Sequence, residues 1–589
     1  MKVIEKVIQS NLPPTRSDVI WIDTSDPSNP VVKIYVNGKW EISQGGPGSV
    51  SVKSLTKEEY EALEEKDKDT LYIVKNEDES YNIYLGDTEI VNNESTVSDY
   101  DKSILDPGED QYAYGVLIDF TQGKSSYDLT RIGNMDLHRT LPVQSQYKGC
   151  IWDLGSQEIV TYLNPQDWSL PTENKTAEEI DELLHDVTKS IRVETPKFYA
   201  CSKVLATDGA GNTTMAKVMF STQKLNPWYV EVPKMATDFR EARIVDGEGP
   251  FSTLSNNAYG GYCTTKNTYD TGKEGLLHPI TNIDRPTMRE LAAMVNTYIF
   301  SYDAYKWIFY WAVVIEYATL FTAKPMIQEL DENGFHQGCL GPGMTSIESY
   351  GAKYSDDSYI YNENYDIQDS FFLGANYFQS NASDEFPLRD IGVTNNWGNR
   401  TGENIVEYTR NGKTSHVHQN RYRGFEFPFG DIMMNLDGFL GYTFKDDNDM
   451  SIAEAYFTCS DPTKFKDELP SEYDANDFDK GWRLALWNDK LDNFHRDGYD
   501  EGAAKAMCIG NNGDLFATKW FVGQNYNFDK YFVNYNYPLD DNQNTTLQFG
   551  CSADYSAVRK VGLGAFLADG GVDYAYYGLG FRCFNIIEE

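Results

Sequence analysis

The chain reads as an α+β protein, with two small β-rich modules at the N-terminus followed by one large mixed domain that takes up most of its 589 residues. Three observations predict this. Short β-branched runs separated by turn residues fill the stretch up to Val91. An acidic segment with Pro107-Gly108 comes next. Beyond it, capped helical segments are interspersed with apolar strands.

In residues 1–46, Val19–Thr24 and Val31–Val36 are strand-like. Asn37-Gly38 ahead of Lys39-Trp40 signals a two-residue hairpin, because both turn positions must accept positive φ. Gln44–Ser49 is a flexible boundary. In residues 50–92, Thr56 and Glu59 form a capping box in which each side chain satisfies the other's backbone N–H, opening a short helix. Thr70–Val74 and Tyr81–Asp87 then read as a hairpin. Residues 93–111 form a polar linker, and the large domain covers 112–589, with Ala113–Phe120 as its first strand.

Within the large domain, Thr176 with Glu179 caps a helix running to about Lys189, and Ile191–Ala200 is a core strand. Thr287 with Glu290 caps a second helix reaching Phe300. Tyr305–Phe321 is apolar nearly all round and so reads as a buried helix; Glu316 interrupts it and Lys306 lies near its start, so it is no membrane span. No 20- to 50-residue repeat is evident, which argues against a solenoid or a fibrous shaft.

Net charge is −39, from 90 acidic and 51 basic residues. That field repels phosphate, so nucleic acid is not an expected partner; it favours solubility. Met1–Ser10 lacks the apolar core of a secretory signal. The eight cysteines are scattered with no Cys-x-x-Cys pair, consistent with buried free thiols. His416-Val417-His418 is the one close histidine pair, and two ligands are too few for zinc. Asp446–Asp449 and the Asp474–Asp479 run do not fit an EF-hand register. No cofactor is expected; calcium is the one ion the acidic loops leave open, without a motif to support it. No nucleophile, metal or phosphate-loop motif is present, so the chain is not expected to be an enzyme.

Several stretches carry a resemblance. "SDVIWIDTSDPSNPVVKIYVNGKW" and "LTKEEYEALEEKDKDTLYIV" with "YNIYLGDTEI" resemble the N-terminal modules of tailed-phage virion proteins, notably those of crAss-like phages of gut Bacteroidetes. From about Tyr112 onward the chain resembles the C-type lectin-like fold, in the branch of formylglycine-generating enzymes and phage variable proteins. The residues that carry this are Arg131–Asp153, Tyr162–Trp168, "HQGCLGPGMTS" (His336–Ser346), "RYRGFEFPFGDIMMNLDGF" (Arg421–Phe439) and the closing Gly580-Phe581-Arg582. The match is imperfect: Phe427 replaces the family's usual Asn before Pro428, and Met433-Met434 stand where a Trp is common. Cys551 and Cys583 do not sit in the enzymes' cysteine motif.

The resemblance implies that the Gly-Phe-Arg strand is structural and that the loop before it faces a ligand. Asp569, Asp573, Tyr574, Tyr576 and Tyr577, with Trp520 from the aromatic run upstream, are therefore the candidate ligand contacts. Tyrosine offers rigid, amphipathic contact area suited to recognition. It further implies a virion head or tail fibre, assembled in the host cytoplasm, that meets capsid or tail proteins through its N-terminal modules. The large domain would be displayed, as a homotrimer, for host-surface glycan or protein, with no membrane insertion. The alternative is a capsid decoration or tail-assembly component that contacts only other virion proteins.

Overall fold

Ahead of residue 100, the computed structural model describes 6–10, 19–23, 31–36, 39–42, 51–63, 70–75, 81–85 and 88–91. Beyond it, the model describes mainly 102–120, 128–186, 188–209, 213–245, 283–341, 398–410, 413–429, 433–445, 451–468, 481–488, 502–509, 513–522, 532–537, 547–551 and 579–588, with short pieces between. The architecture is mixed α+β, mostly sheet with few helices. It divides into two compact units, 1–99 and 100–589.

Among its described residues the first unit holds two four-stranded sheets. In one, Val31–Val36 and Lys39–Ile42 pair across Asn37-Gly38 with Val36 opposite Lys39, the predicted two-residue hairpin. In the other, the Thr56–Glu59 capping box is formed, with Thr56 N donating to Glu59 Oε2 at 2.8 Å and Glu59 N to Thr56 Oγ1 at 3.2 Å. The helix it opens is one short turn, Lys57–Glu61, whose Tyr60 packs on Tyr72. The expected linker 93–111 is not free of the second unit: from Tyr100 onward the chain belongs to that unit, and its Lys102–Tyr112 stretch packs beside the strand Ala113–Asp119.

Two sheets frame the large unit. The larger runs Thr130–Gly133, Ala113–Asp119, Thr213–Ser221, Gly502–Ile509, Phe532–Tyr537, Phe566–Leu567, Leu547–Cys551, Met433–Lys445, Ser451–Cys459, Trp482–Asn488. The smaller runs Glu158–Tyr162, Lys148–Asp153, Lys189–Thr195, Met235–Asp238, Cys583–Ile586, Tyr298–Ile299, so the last strand of the chain is an interior strand. It pairs on both sides, and its Cys583 and Phe584 are buried.

Buried side chains from both sheets and from the helix Tyr302–Tyr317 form one core. That helix is buried on every side, as its sequence predicts, and Lys306–Trp311 is wound as a π-helix. It runs 302–317 rather than 305–321, because Ser301 Oγ accepts Ala304 N at its start and Ala318 turns left-handed (φ 50°) at its end. Its three charged side chains, Asp303, Lys306 and Glu316, are all paired inside the protein. Lys306 Nζ meets Asp303 at 2.8 Å and Asp514 at 2.7 Å, while Glu316 has partners described below.

Two other expectations are corrected. The helix expected to start at Thr287 is Arg285–Met294. Its N-cap is Asp284, which accepts Thr287 N at 2.9 Å and leaves Pro286 in the first turn, where its missing N–H costs nothing. The chain then turns at Asn296 (φ 54°) into the strand Tyr298–Ile299, short of the expected end at Phe300. The stretch Ile191–Ala200 is two strands, Lys189–Thr195 and Phe198–Thr207, divided at Pro196 and paired into different sheets. The Thr176 capping box is confirmed, though its helix ends at His185.

Gly149 shows how tightly the sheet packs. A Cβ there would lie 2.4 Å from the Trp168 indole, which is fully buried and donates from Nε1 to Asn399 Oδ1 at 2.8 Å. Gly149→Ala is expected to cost about 2–3 kcal/mol by displacing that ring, measured as a shifted urea midpoint at unchanged m-value.

Candidate functional site

Asp569, Asp573, Tyr574, Tyr576 and Tyr577 lie outside the described residues, as do Asp446–Asp449 and Asp474–Asp479. Trp520 falls on the strand Leu515–Val522, its backbone opposite Ala504. The His416-Val417-His418 pair is on the strand Lys413–Tyr422, with His416 opposite Glu407 and His418 opposite Ile405.

The structure does place both flanks of the predicted ligand loop. Phe566–Leu567 is paired between Phe532–Tyr537 and Leu547–Cys551. Leu579–Gly580 runs parallel to Met433-Met434, and Met434 pairs with Cys551 on its other side. The flanks are thus three strand spacings apart, roughly 14 Å. Just upstream, Leu563 is pinned by two buried bonds: its N donates to Thr322 Oγ1 at 2.8 Å, and Tyr305 OH donates to its carbonyl at 2.7 Å.

Behind the second flank, Phe581 and Arg582 are fully buried. The Arg582 guanidinium donates through Nη1 to the Phe239 carbonyl at 2.7 Å and to that of Asp238 at 3.3 Å. Through Nη2 it donates to Glu241 Oε1 at 3.0 Å and to the carbonyls of Glu426 at 2.6 Å and Phe427 at 2.7 Å. Three separate chain segments therefore meet at the Arg of Gly-Phe-Arg. A second buried arginine, Arg192, reaches the terminal strand: Nε donates to Asp238 Oδ1 at 3.0 Å, Nη1 to Asn585 Oδ1 at 2.6 Å and Nη2 to Thr297 Oγ1 at 3.0 Å. Asp238 Oδ2 also accepts Cys583 N at 3.0 Å. Cys583, like Cys150, Cys201, Cys339 and Cys459, is a buried free thiol, and burial pushes its pKa well up.

The glycine-rich turn beginning at His336 and the Tyr422-Arg423-Gly424 hairpin, far apart in sequence, meet over Glu316. This carboxylate is 1% exposed. Its Oε1 accepts Arg423 Nη2 at 2.8 Å and its Oε2 accepts Arg423 Nε at 2.9 Å and Tyr422 OH at 3.0 Å. His336 Nδ1 lies 2.8 Å from Oε1. Burial alone would raise the Glu316 pKa, but the Arg423 charge and the His336 and Arg423 hydrogen bonds outweigh it and hold the carboxyl at about 2. The His336 ring is about one-third exposed (35%) and stacks on Tyr317. Nδ1 is turned to the carboxylate, and the other ring nitrogen lies on the far side of the ring from it.

Backbone strain marks the same place. Arg423 sits at φ 46° and Gly424 at φ 95°, in the two-residue turn between the paired Tyr422 and Phe425. Asn-Gly is the favoured pair for such a turn, and the grip on Glu316 explains an arginine there. Phe427, the departure from the family signature, also has positive φ (46°), a conformation that Asn tolerates better. Its carbonyl accepts Arg582, and its N donates to the Asn420 carbonyl at 3.0 Å.

The nearby Cys339 thiol is buried, and its pKa is raised mainly by that burial. His138 is held neutral, its pKa lowered to about 3 by burial and by Arg131. Among the described residues no group of three or more His, Cys, Asp or Glu side chains is placed to hold a metal ion, and no helix is long and apolar enough to cross a membrane. The site can thus offer the partly exposed His336 ring for a ligand hydrogen bond, beside the buried, ion-paired Glu316 carboxylate. The sequence signal was a lone carboxylate inside an otherwise apolar helix, which reads first as an interruption.

Comparison of the chain with protein-family models, with curated proteins and with solved structures finds no match.

Proposed function

We propose that this chain is a virion structural protein of a tailed bacteriophage, a head or tail fibre that displays its large unit for binding to host-surface glycan or protein. The first unit joins capsid or tail proteins, and the protein acts as a homotrimer in the virion, where weak sites gain avidity through tethering. It is a binder and not an enzyme, with no cofactor of its own. The large unit is the lectin-like domain that the sequence resembles.

One observation carries this reading. The segment expected to meet the ligand starts and ends on paired strands, and its second flank runs directly into the buried Arg582 junction. A recognition loop gains affinity when its ends are fixed, because less freedom is lost on binding. The capsid-decoration alternative needs no such platform.

The test uses the fluorescently labelled full chain on a panel of gut Bacteroidetes strains, with and without their purified capsular polysaccharide. Strain-selective binding abolished by free polysaccharide is the expected result. A folded chain that binds no strain but is retained by capsid or tail proteins would favour the decoration role.

A further inference from the structure

The segment that leads into the large unit buries an amine against two carboxyl groups. Lys217, on the strand Thr213–Ser221, is fully buried, and so is Glu109. The Lys217 Nζ lies 2.5 Å from Glu109 Oε2, 3.2 Å from Asp106 Oδ2 and 2.9 Å from the Ile104 carbonyl. The Glu109 carboxyl is held from its other sides by Tyr229 OH, donating to Oε1 at 2.9 Å, and by Asp106 N, donating to Oε2 at 2.7 Å. Asp106 keeps 21% of its side chain exposed and accepts Lys203 Nζ on Oδ1 at 2.8 Å. Buried lysines are rare. This one faces a fully desolvated carboxyl group, with a second, solvent-connected carboxylate in reach of the same nitrogen.

We propose that Lys217 and Glu109 condense to a side-chain amide, an intramolecular cross-link in which Asp106 carries the proton. The reaction needs no oxidant, reductant or cofactor. The ammonium first gives a proton to the Glu109 carboxylate, leaving amine and acid. The amine lone pair attacks the Glu109 carboxyl carbon, forming the C–N bond while the C=O pair moves onto oxygen. Tyr229 OH is positioned to donate to that oxygen, Oε1, while Asp106 N–H holds Oε2, which takes the ammonium proton and becomes the leaving hydroxyl. The nitrogen then loses its second proton to the Asp106 carboxylate. Asp106 returns it to the hydroxyl, the C–O bond breaks, water leaves and the carbonyl re-forms. One ammonium and one carboxylate become one amide and one water.

The division of roles follows the surroundings. Burial works against ionisation of Asp106, but the hydrogen bonds and charges of Lys203 and Lys217 hold its carboxyl below the usual range, so it is ionised and able to take the proton. Burial and the Glu109 charge push the Tyr229 phenol up, so it remains a donor. The link would join the first segment after residue 99 to an interior strand of the larger sheet. Tension reaching the large unit along the chain from the first unit would then meet a covalent bond before any sheet hydrogen bond.

The test is the intact mass of the denatured full chain, followed by fragment analysis. The expected result is a mass one water below that of the sequence, with the Lys217 peptide joined to the Glu109 peptide. Lys217→Arg is expected to restore the full sequence mass, and Asp106→Ala to slow linkage by about a hundredfold or more, both with circular dichroism unchanged. A wild-type chain at full sequence mass overturns the proposal and leaves an ordinary buried ion pair, whether or not the variants fold. A deficit that persists in Lys217→Arg also overturns it, and linkage at the wild-type rate in Asp106→Ala overturns the role given to Asp106.

Discussion

Arg582→Met is expected to unfold the large unit or leave it barely stable, a loss of about 5 kcal/mol or more. The side chain is fully buried and donates to four backbone carbonyls and the Glu241 carboxylate, itself 2% exposed. Methionine fills much of the same volume, so the penalty lies in the orphaned acceptors. Each buried unsatisfied group costs about 1–3 kcal/mol, and a buried carboxylate stripped of its partner costs about 3–5 kcal/mol. Typical domains have only about 5–15 kcal/mol to lose. Arg582→Lys is expected to recover little, since an ammonium is a point donor and cannot span five acceptors on two segments. Urea unfolding of soluble variants checks this; a change below about 1 kcal/mol would show that the junction is not what holds the terminal strand.

Glu316→Gln is expected to cost about 3 kcal/mol at neutral pH and to remove part of the acid sensitivity of the fold. The carboxyl is held at about 2 against an ordinary value of 4.5. Because the folded value is depressed, the stabilisation is fully present above about pH 4.5 and is lost as pH falls toward about 2. The groups facing it are Arg423, His336, Tyr422 and, stacked on His336, Tyr317. Without the carboxylate, the mostly buried Arg423 loses its Glu316 counter-charge on a strained turn. Stability measured from pH 7 to pH 2 should fall steeply between about 4.5 and 2 in the wild type and more gently in the variant. Parallel curves would mean that Glu316 does not carry the acid response.

Local signals were legible in the sequence wherever donor and acceptor lie within one turn. The Thr56–Glu59 and Thr176–Glu179 boxes and the Asn37-Gly38 hairpin are of this kind. The buried helix at 302–317 was legible because an apolar surface on every side leaves no other placement. The cap at residue 284 was misread because Asp284 and Thr287 both head acceptable helix starts, and the choice turns on Pro286. The cluster at Glu316 was not legible. Its partners stand 20 and 107 residues away (His336 and Arg423), and no local spacing brings them together. The role of Gly-Phe-Arg was anticipated through resemblance, whereas its acceptors at Asp238–Glu241 and Glu426–Phe427 were not.

The central claim is that the large unit presents the segment ahead of Leu579 as a ligand-binding loop. Its most direct test compares binding of the full chain and an Asp573→Ala/Tyr574→Ala double variant to the same capsulated cells, with thermal melting as the control for folding. The account predicts at least about a tenfold loss of binding, roughly 1.4 kcal/mol, at an unchanged melting temperature. Undiminished binding by the double variant, or equal binding by residues 1–99 alone, would contradict it.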